Sequence, residues 1–175
     1  MCARIFAGEL APIVERGVMA PLNFGKKEKS LVRVLVVEDF APFRKFVCLT
    51  LGNEPGVQII AEVPDGLEAV QKAAELKPDL ILLDIGLPTL NGIGAARQIL
   101  TIAPESKIIF VSQESSPDVV QETLNLGARG YVLKLRAASD LMAAVKEVLE
   151  GRQFVSAGFS GHHFTEASPR PAVDY

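Results

Sequence analysis

The chain lacks any apolar run long enough to cross a bilayer: its longest uncharged apolar stretches are strand-sized, well short of the ~20 residues a membrane helix needs. It also lacks a signal-peptide core, because Ile5-Phe6-Ala7-Gly8 is followed by Glu9, Glu15 and Arg16. Cysteine is scarce. Cys2 and Cys48 show neither metal-ligand nor disulfide spacing, and a reducing cytoplasm is the expected compartment. There is no basic surplus either: 18 Lys and Arg stand against 21 Asp and Glu, for a net charge of −3. Lys26-Lys27-Glu28-Lys29 is too short and too interrupted to track a nucleic-acid backbone. No membrane contact and no direct DNA contact are therefore expected. Internal repeats are absent. His162 and His163 adjoin each other without an evident third ligand, so no metal is expected there.

What the chain does have is apolar material in a regular order. Hydrophobic residues make up 49% of 175 positions, enough for one domain with a sizeable core and ragged ends. Residues 1–30, broken by Pro12, Gly17, Pro21 and Gly25, read as a poorly ordered extension in which Glu9 to Arg16 offers at most two helical turns. From Leu31 strand and helix patterns alternate. Strand-like runs fall at 31–37, 57–63, 80–83, 107–111 and 130–133. Between them, helical spacing joins Phe43, Val47, Thr50 and Leu51; then Leu67, Val70, Ala73 and Ala74; then Ile93, Ala96 and Leu100. Ser116-Pro117-Asp118 opens a fourth helix with a capping hydroxyl and a first-turn proline. Leu141, Ala144, Val145, Val148 and Leu149 mark a fifth, stopped by Gly151. Five strand–helix units in series predict an α/β fold with a doubly wound, five-stranded parallel sheet. Residues 152–175, with Ser168-Pro169-Arg170-Pro171, read as a flexible tail.

Four of the strand-like runs end in a polar group. Glu38-Asp39 follows the first, Asp84 follows Leu80-Ile81-Leu82-Leu83, Ser112 follows Val111, and Lys134 follows Leu133. In a parallel sheet such ends share one edge, where ligands bind. Taken singly, each has an ordinary reading: an aspartate as a turn former, a serine as a loop residue, a lysine as a solvated charge. Those readings do not explain four matching strand ends. Three acids, a hydroxyl and a lysine at one edge suit a divalent cation and a phosphoryl group.

Glu38-Asp39, Asp84-Ile85-Gly86-Leu87-Pro88 with Asn91-Gly92, Ser112, and Gly127-Ala128-Arg129-Gly130-Tyr131-Val132-Leu133-Lys134, in this order and spacing, resemble the receiver domain of two-component response regulators of the LuxR/NarL type. The resemblance runs from about Leu31 to Gly151. It implies a flavodoxin-like receiver fold with sheet order 2-1-3-4-5. Asp84 would be the phosphoacceptor. Mg²⁺ would be held by Glu38, Asp39, Asp84 and the backbone carbonyl of Gly86. Ser112 and Lys134 would bind the phosphoryl group, and Ser112 and Tyr131 would form a switch. Gly86 and Glu114, two positions after Asp84 and Ser112, would flank the path of hydrolytic water. Expected partners are a sensor histidine kinase or phosphotransfer protein, an output protein, and a second copy when phosphorylated. No helix-turn-helix pattern follows Gly151, so a stand-alone receiver rather than an enzyme is expected. The alternatives are a phosphorylation-independent interaction module and an aspartate-nucleophile phosphatase. The phosphatase wants a second aspartate where Gly86 stands. Three residues depart from common family practice: Leu135 in place of proline, the side-chain-free Gly86, and Phe40 after the acidic pair.

Overall fold

The computed structural model describes residues 31–159 and Phe164. The N-terminal extension and the His162–His163 pair lie outside the described residues. Within them, β1 (Val32–Val37), α1 (Ala41–Gly52), β2 (Val57–Val63), α2 (Gly66–Leu76), β3 (Leu80–Leu83), α3 (Gly92–Ile102), β4 (Lys107–Ser112), α4 (Pro117–Leu126), β5 (Gly130–Leu133), α5 (Ala137–Leu149) and β6 (Phe154–Val155) follow in order. All strand pairs are parallel, and the sheet order is β2-β1-β3-β4-β5-β6.

Alternate residues of each central strand feed two separate cores. Val34 and Val36, Leu80 and Leu82, Ile109 and Val111, and Val132 pack with Val47 and Leu51 of α1 and with Leu141, Val145 and Val148 of α5. Their neighbours Leu35 and Val37, Ile81 and Leu83, Ile108 and Phe110, and Tyr131 pack with α2, α3 and α4. Both faces are thus covered, which is why β3 reads as an unbroken apolar run. Each such side chain, fully buried, contributes about 1.5–3 kcal/mol.

The structure corrects several sequence-based expectations. The sheet has six strands, not five. Phe154 donates its amide to Arg129 and Ser156 donates its amide to Tyr131, so the start of the expected flexible tail lies along the open edge of β5. A two-residue strand is too short to show alternation in sequence. The register of β1 on β2 slips between Val34 and Leu35, which pair with Ile59 and Ala61. Ile60 is the extra residue. The bulge turns Val57 and Ile59 toward α1 and α5, but Ala61 and Val63 toward the opposite layer. Helix α2 buries Ala73 and packs Val70 as expected, but it also buries Gly66 and Ala69 and leaves Ala74 exposed and Leu67 44% exposed. Small residues let α2 approach closely: a Cβ on Gly66 would sit 1.9 Å from the Leu90 carbonyl oxygen. Helix α4 starts where expected, yet the Ser116 hydroxyl makes no cap bond. Asp65, unpredicted, caps α2 through the amides of Leu67 and Glu68. Cys48 on α1 is half-buried, and burial followed by a hydrogen bond with Glu62 pushes its thiol up to about 12.

Candidate phosphoryl-accepting site

The chain leaves β1 toward β2 on one side and returns to β3 on the other. The gap between the C-terminal ends of β1 and β3 is therefore the switch point of the sheet, where a crevice forms. Glu38 ends one wall and Asp84 the other. Both are set by backbone ladder bonds, Glu38 N–H to the Val63 carbonyl and Asp84 N–H to the Val37 carbonyl, each 3.0 Å. Lys134 reaches in from the end of β5. Its Nζ lies 2.7 Å from Asp84 Oδ2 and 2.8 Å from the Glu38 carboxylate. The ammonium also sits 5.0 Å above the Phe43 ring centre.

These groups are almost dry: Glu38 is 3% exposed and Asp84 5%. Burial pushes the Glu38 carboxyl above its ordinary pKa, against the pull of the Lys134 hydrogen bond. Burial alone would lower Lys134. The hydrogen bonds and charges of Asp84 and Glu38 outweigh it, and its pKa is raised. Lys134 is thus held charged as the counter-ion of two buried acids, one of which also takes the Ile85 amide at 2.7 Å on Oδ1.

Asp39 is exposed at the mouth, and ligand atoms of Glu38, Asp39 and Asp84 all lie within 4.8 Å of one another. Three hard oxygen donors with one side open to water fit Mg²⁺, which keeps several waters and takes few carboxylates. Gly86 is exposed beside them; a Cβ there would touch Asp84 Oδ2 at 3.8 Å. Its φ is not positive, so the position does not require glycine for backbone freedom. Gly92 is different. A Cβ there would lie 1.9 Å from the Asp84 carbonyl oxygen, so glycine is what lets α3 begin against the end of β3. Asn91 caps that helix through the Gly94 amide. Sequence reasoning missed Arg44, which donates to the Glu38 carbonyl at 2.5 Å and steadies the acidic loop from α1. An arginine one turn into the helix after an acidic pair was the available signal.

Ser112 stands at the same edge, buried, but its hydroxyl oxygen accepts the Glu114 amide at 3.2 Å. The Ser112 hydroxyl thus bonds toward the loop entering α4 and the Tyr131 phenol rather than toward the acid–lysine cluster. The Glu114 carboxylate is taken up by the Ser116 amide at 2.9 Å. Tyr131 is fully buried, and its phenol donates to the Glu114 carbonyl at 2.8 Å. Burial pushes that phenol up to about 12. Phe40 and Leu135 are 60% and 97% exposed. The Lys134–Leu135 peptide is trans and opens a short 3-10 turn, Lys134–Arg136.

The order of these strand ends matches a known family. The model of the response regulator receiver domain matches residues 34–146. This chain belongs to the response regulator receiver family. The receiver is 35% identical over 116 residues to the chemotaxis protein CheY of Thermotoga maritima, covering 66% of this chain and 96% of that one. It is 33% identical over 124 residues to the transcriptional regulatory protein DegU of Brevibacillus brevis, covering 71% of this chain and 52% of that protein. The chain thus spans about half the length of that curated relative. Among solved structures, the receiver is similar to a two-component response regulator of the LuxR family from Aurantimonas, with TM-score 0.71 and 27% identity over 75% of this chain and 94% of that one. It is also similar to the signal receiver domain of the response regulator NarL from Mycobacterium tuberculosis, with TM-score 0.66 and 28% identity over 70% of this chain and 99% of that one. Receivers work in two-component signalling with histidine kinases or phosphotransfer proteins. Among the described residues no helix is long and apolar enough to cross a membrane.

Proposed function

We propose that the receiver accepts a phosphoryl group on Asp84 from a phosphohistidine of a sensor kinase or phosphotransfer protein, and signals in the cytoplasm through protein contacts. The observation that carries this reading is Lys134 between two buried carboxylates at the switch point. In the transfer, an Asp84 carboxylate oxygen attacks phosphorus. The new O–P bond forms as the P–N bond breaks, and the electron pair leaves on the donor imidazole. Lys134 would give up a carboxylate contact for a phosphoryl oxygen, and the Ser112 hydroxyl would donate to another. A divalent cation held by Glu38, Asp39, Asp84 and the Gly86 carbonyl would neutralise charge gathered on the phosphoryl group.

Incubation with Mg²⁺ and acetyl phosphate, followed by intact mass, tests this. One added phosphoryl group is expected on the wild type and none on Asp84→Asn. Labelling of that variant elsewhere would refute the assignment. We read the chain as a phosphoacceptor rather than a turnover enzyme, so p-nitrophenyl phosphate should not be consumed catalytically. Direct DNA contact is not part of this reading. Salt-sensitive, sub-micromolar binding to duplex DNA would contradict it.

A further inference from the structure

The family match ends at residue 146, yet the chain beyond it returns to the sheet. Phe154 and Val155 extend the sheet beside β5. Phe159 is 9% exposed and meets the Tyr131 ring edge-on, with centres 6.2 Å apart. Phe164 stacks in turn edge-on against Phe159 at 5.5 Å. Ser156 is 2% exposed, and its hydroxyl oxygen accepts the Leu133 amide at 3.1 Å. It also hydrogen-bonds with Asp140, which Ser139 and Arg136 hold as well.

Two continuous contact routes leave this segment for the site. One runs from Phe159 to the Tyr131 ring, from the Tyr131 hydroxyl to the Glu114 carbonyl, and from the Glu114 amide to Ser112. The other runs from Ser156 to the amide of Leu133, the residue before Lys134. The Asp140 network grips the far side of the same turn through Arg136. The Ser112 side chain and the backbone on either side of Lys134 are therefore tied to a segment that contributes no atom to the site. A two-residue strand with a few aromatic contacts is also the kind of unit for which local opening is expected.

We propose that residues 154–159 form a strap that positions Ser112 and Lys134, so that strap docking and phosphoryl binding stabilise each other. This rests on the phosphoryl-accepting reading above. Phe159 and Ser156 are positioning residues. Reciprocity is required: whatever factor the strap adds to phosphoryl affinity, the bound phosphoryl group adds to strap docking.

Amide hydrogen exchange on the full chain, with and without Mg²⁺ and fluoroberyllate as the phosphoryl mimic, reads that coupling. The Phe154 and Ser156 amides should slow about fivefold or more. Amides of β2, at the far sheet edge, should slow less. Phe159→Ala should weaken fluoroberyllate binding about fivefold or more, and Phe159→Leu, which keeps an apolar cover, should recover most of it. Melting temperatures are taken in parallel, since a merely structural strap would lower them and leave the affinity unchanged. Unaltered strap exchange on binding, or equal affinity in Phe159→Ala, would overturn the proposal. A wild type that neither binds fluoroberyllate nor labels with acetyl phosphate would instead overturn the phosphoryl-accepting reading itself.

Discussion

Lys134 neutralises two buried acids at once. Removing one member of a buried ion cluster leaves charge without a partner. Lys134→Ala should cost about 3 kcal/mol at neutral pH, read by urea unfolding, and Mg²⁺ should return part of that loss. Gly86 differs. The space beside Asp84 Oδ2 is open, and the backbone is compatible with a side chain. Gly86→Met should fold normally and slow decay of the acyl phosphate after donor removal; equal decay would show that access at Gly86 does not limit hydrolysis. Asp140 carries a pH signature. Burial alone would raise its carboxyl, but hydrogen bonds from Ser139, Ser156 and Arg136 hold it below the ordinary value. Its stabilisation is therefore present above the usual aspartate pKa of ~3.9 and is lost as pH falls through the depressed one. Asp140→Asn should melt several degrees lower than wild type at pH 7, with the gap closing as pH falls below the ordinary aspartate range. Glu38, Asp39, Asp84 and Lys134 were legible in sequence because each follows an apolar run. Arg44 offered only its place one turn after the acidic pair, and Phe43 only its helical spacing. Their contact with the site depends on how α1 is rotated, and the spacing of apolar residues leaves that angle loose.

At the scale of elements, boundaries followed sequence pattern well and facings less well. Strands β3 and β4 are long enough apolar runs to fix themselves. Helix α2 was read from Leu67, Val70, Ala73 and Ala74; Ala73 and Val70 do meet the core, but the packed face also takes in Gly66 and Ala69, which the apolar spacing passed over. Close approach, not volume, decided it, as the Leu90 carbonyl against Gly66 shows. The β2 bulge hides for a related reason: period-two counting assumes a ladder without insertions, and Ile60 breaks it. The start of α3 is the tightest junction in the site. Gly92→Ala would drive a methyl group into the Asp84 backbone and should cost about 3 kcal/mol while abolishing acetyl phosphate labelling. Gly86→Ala, two residues from the same aspartate, should lie within about 0.5 kcal/mol of wild type. Thermal melts and intact mass on the pair separate a packing requirement from a chemical one.

For the whole molecule, the sixth strand changes which edge of the sheet is open. A parallel sheet ending at β5 would present unpaired amides and carbonyls to other chains. Here β6 occupies part of that edge. Phe154→Pro, made in the full chain, removes the amide that bonds Arg129. It should cost about 1–2 kcal/mol and raise self-association of unphosphorylated protein in sedimentation velocity. The receiver itself was legible from the order of its strand ends. Strand β6 was not, because a serine- and glycine-rich stretch with two apolar neighbours carries no periodic signal of its own.

Cys48 offers a different use of the same architecture. Its half-buried thiol, with a pKa near 12, holds almost no thiolate between pH 7 and 9, so alkylating reagents should find it inert while α1 stays docked. Unfolding restores an ordinary thiol. In a Cys2→Ser background, the rate of carbamidomethylation at Cys48 then becomes a clock for how often the α1 layer lifts from the sheet, read by mass alone and without any spectroscopic label.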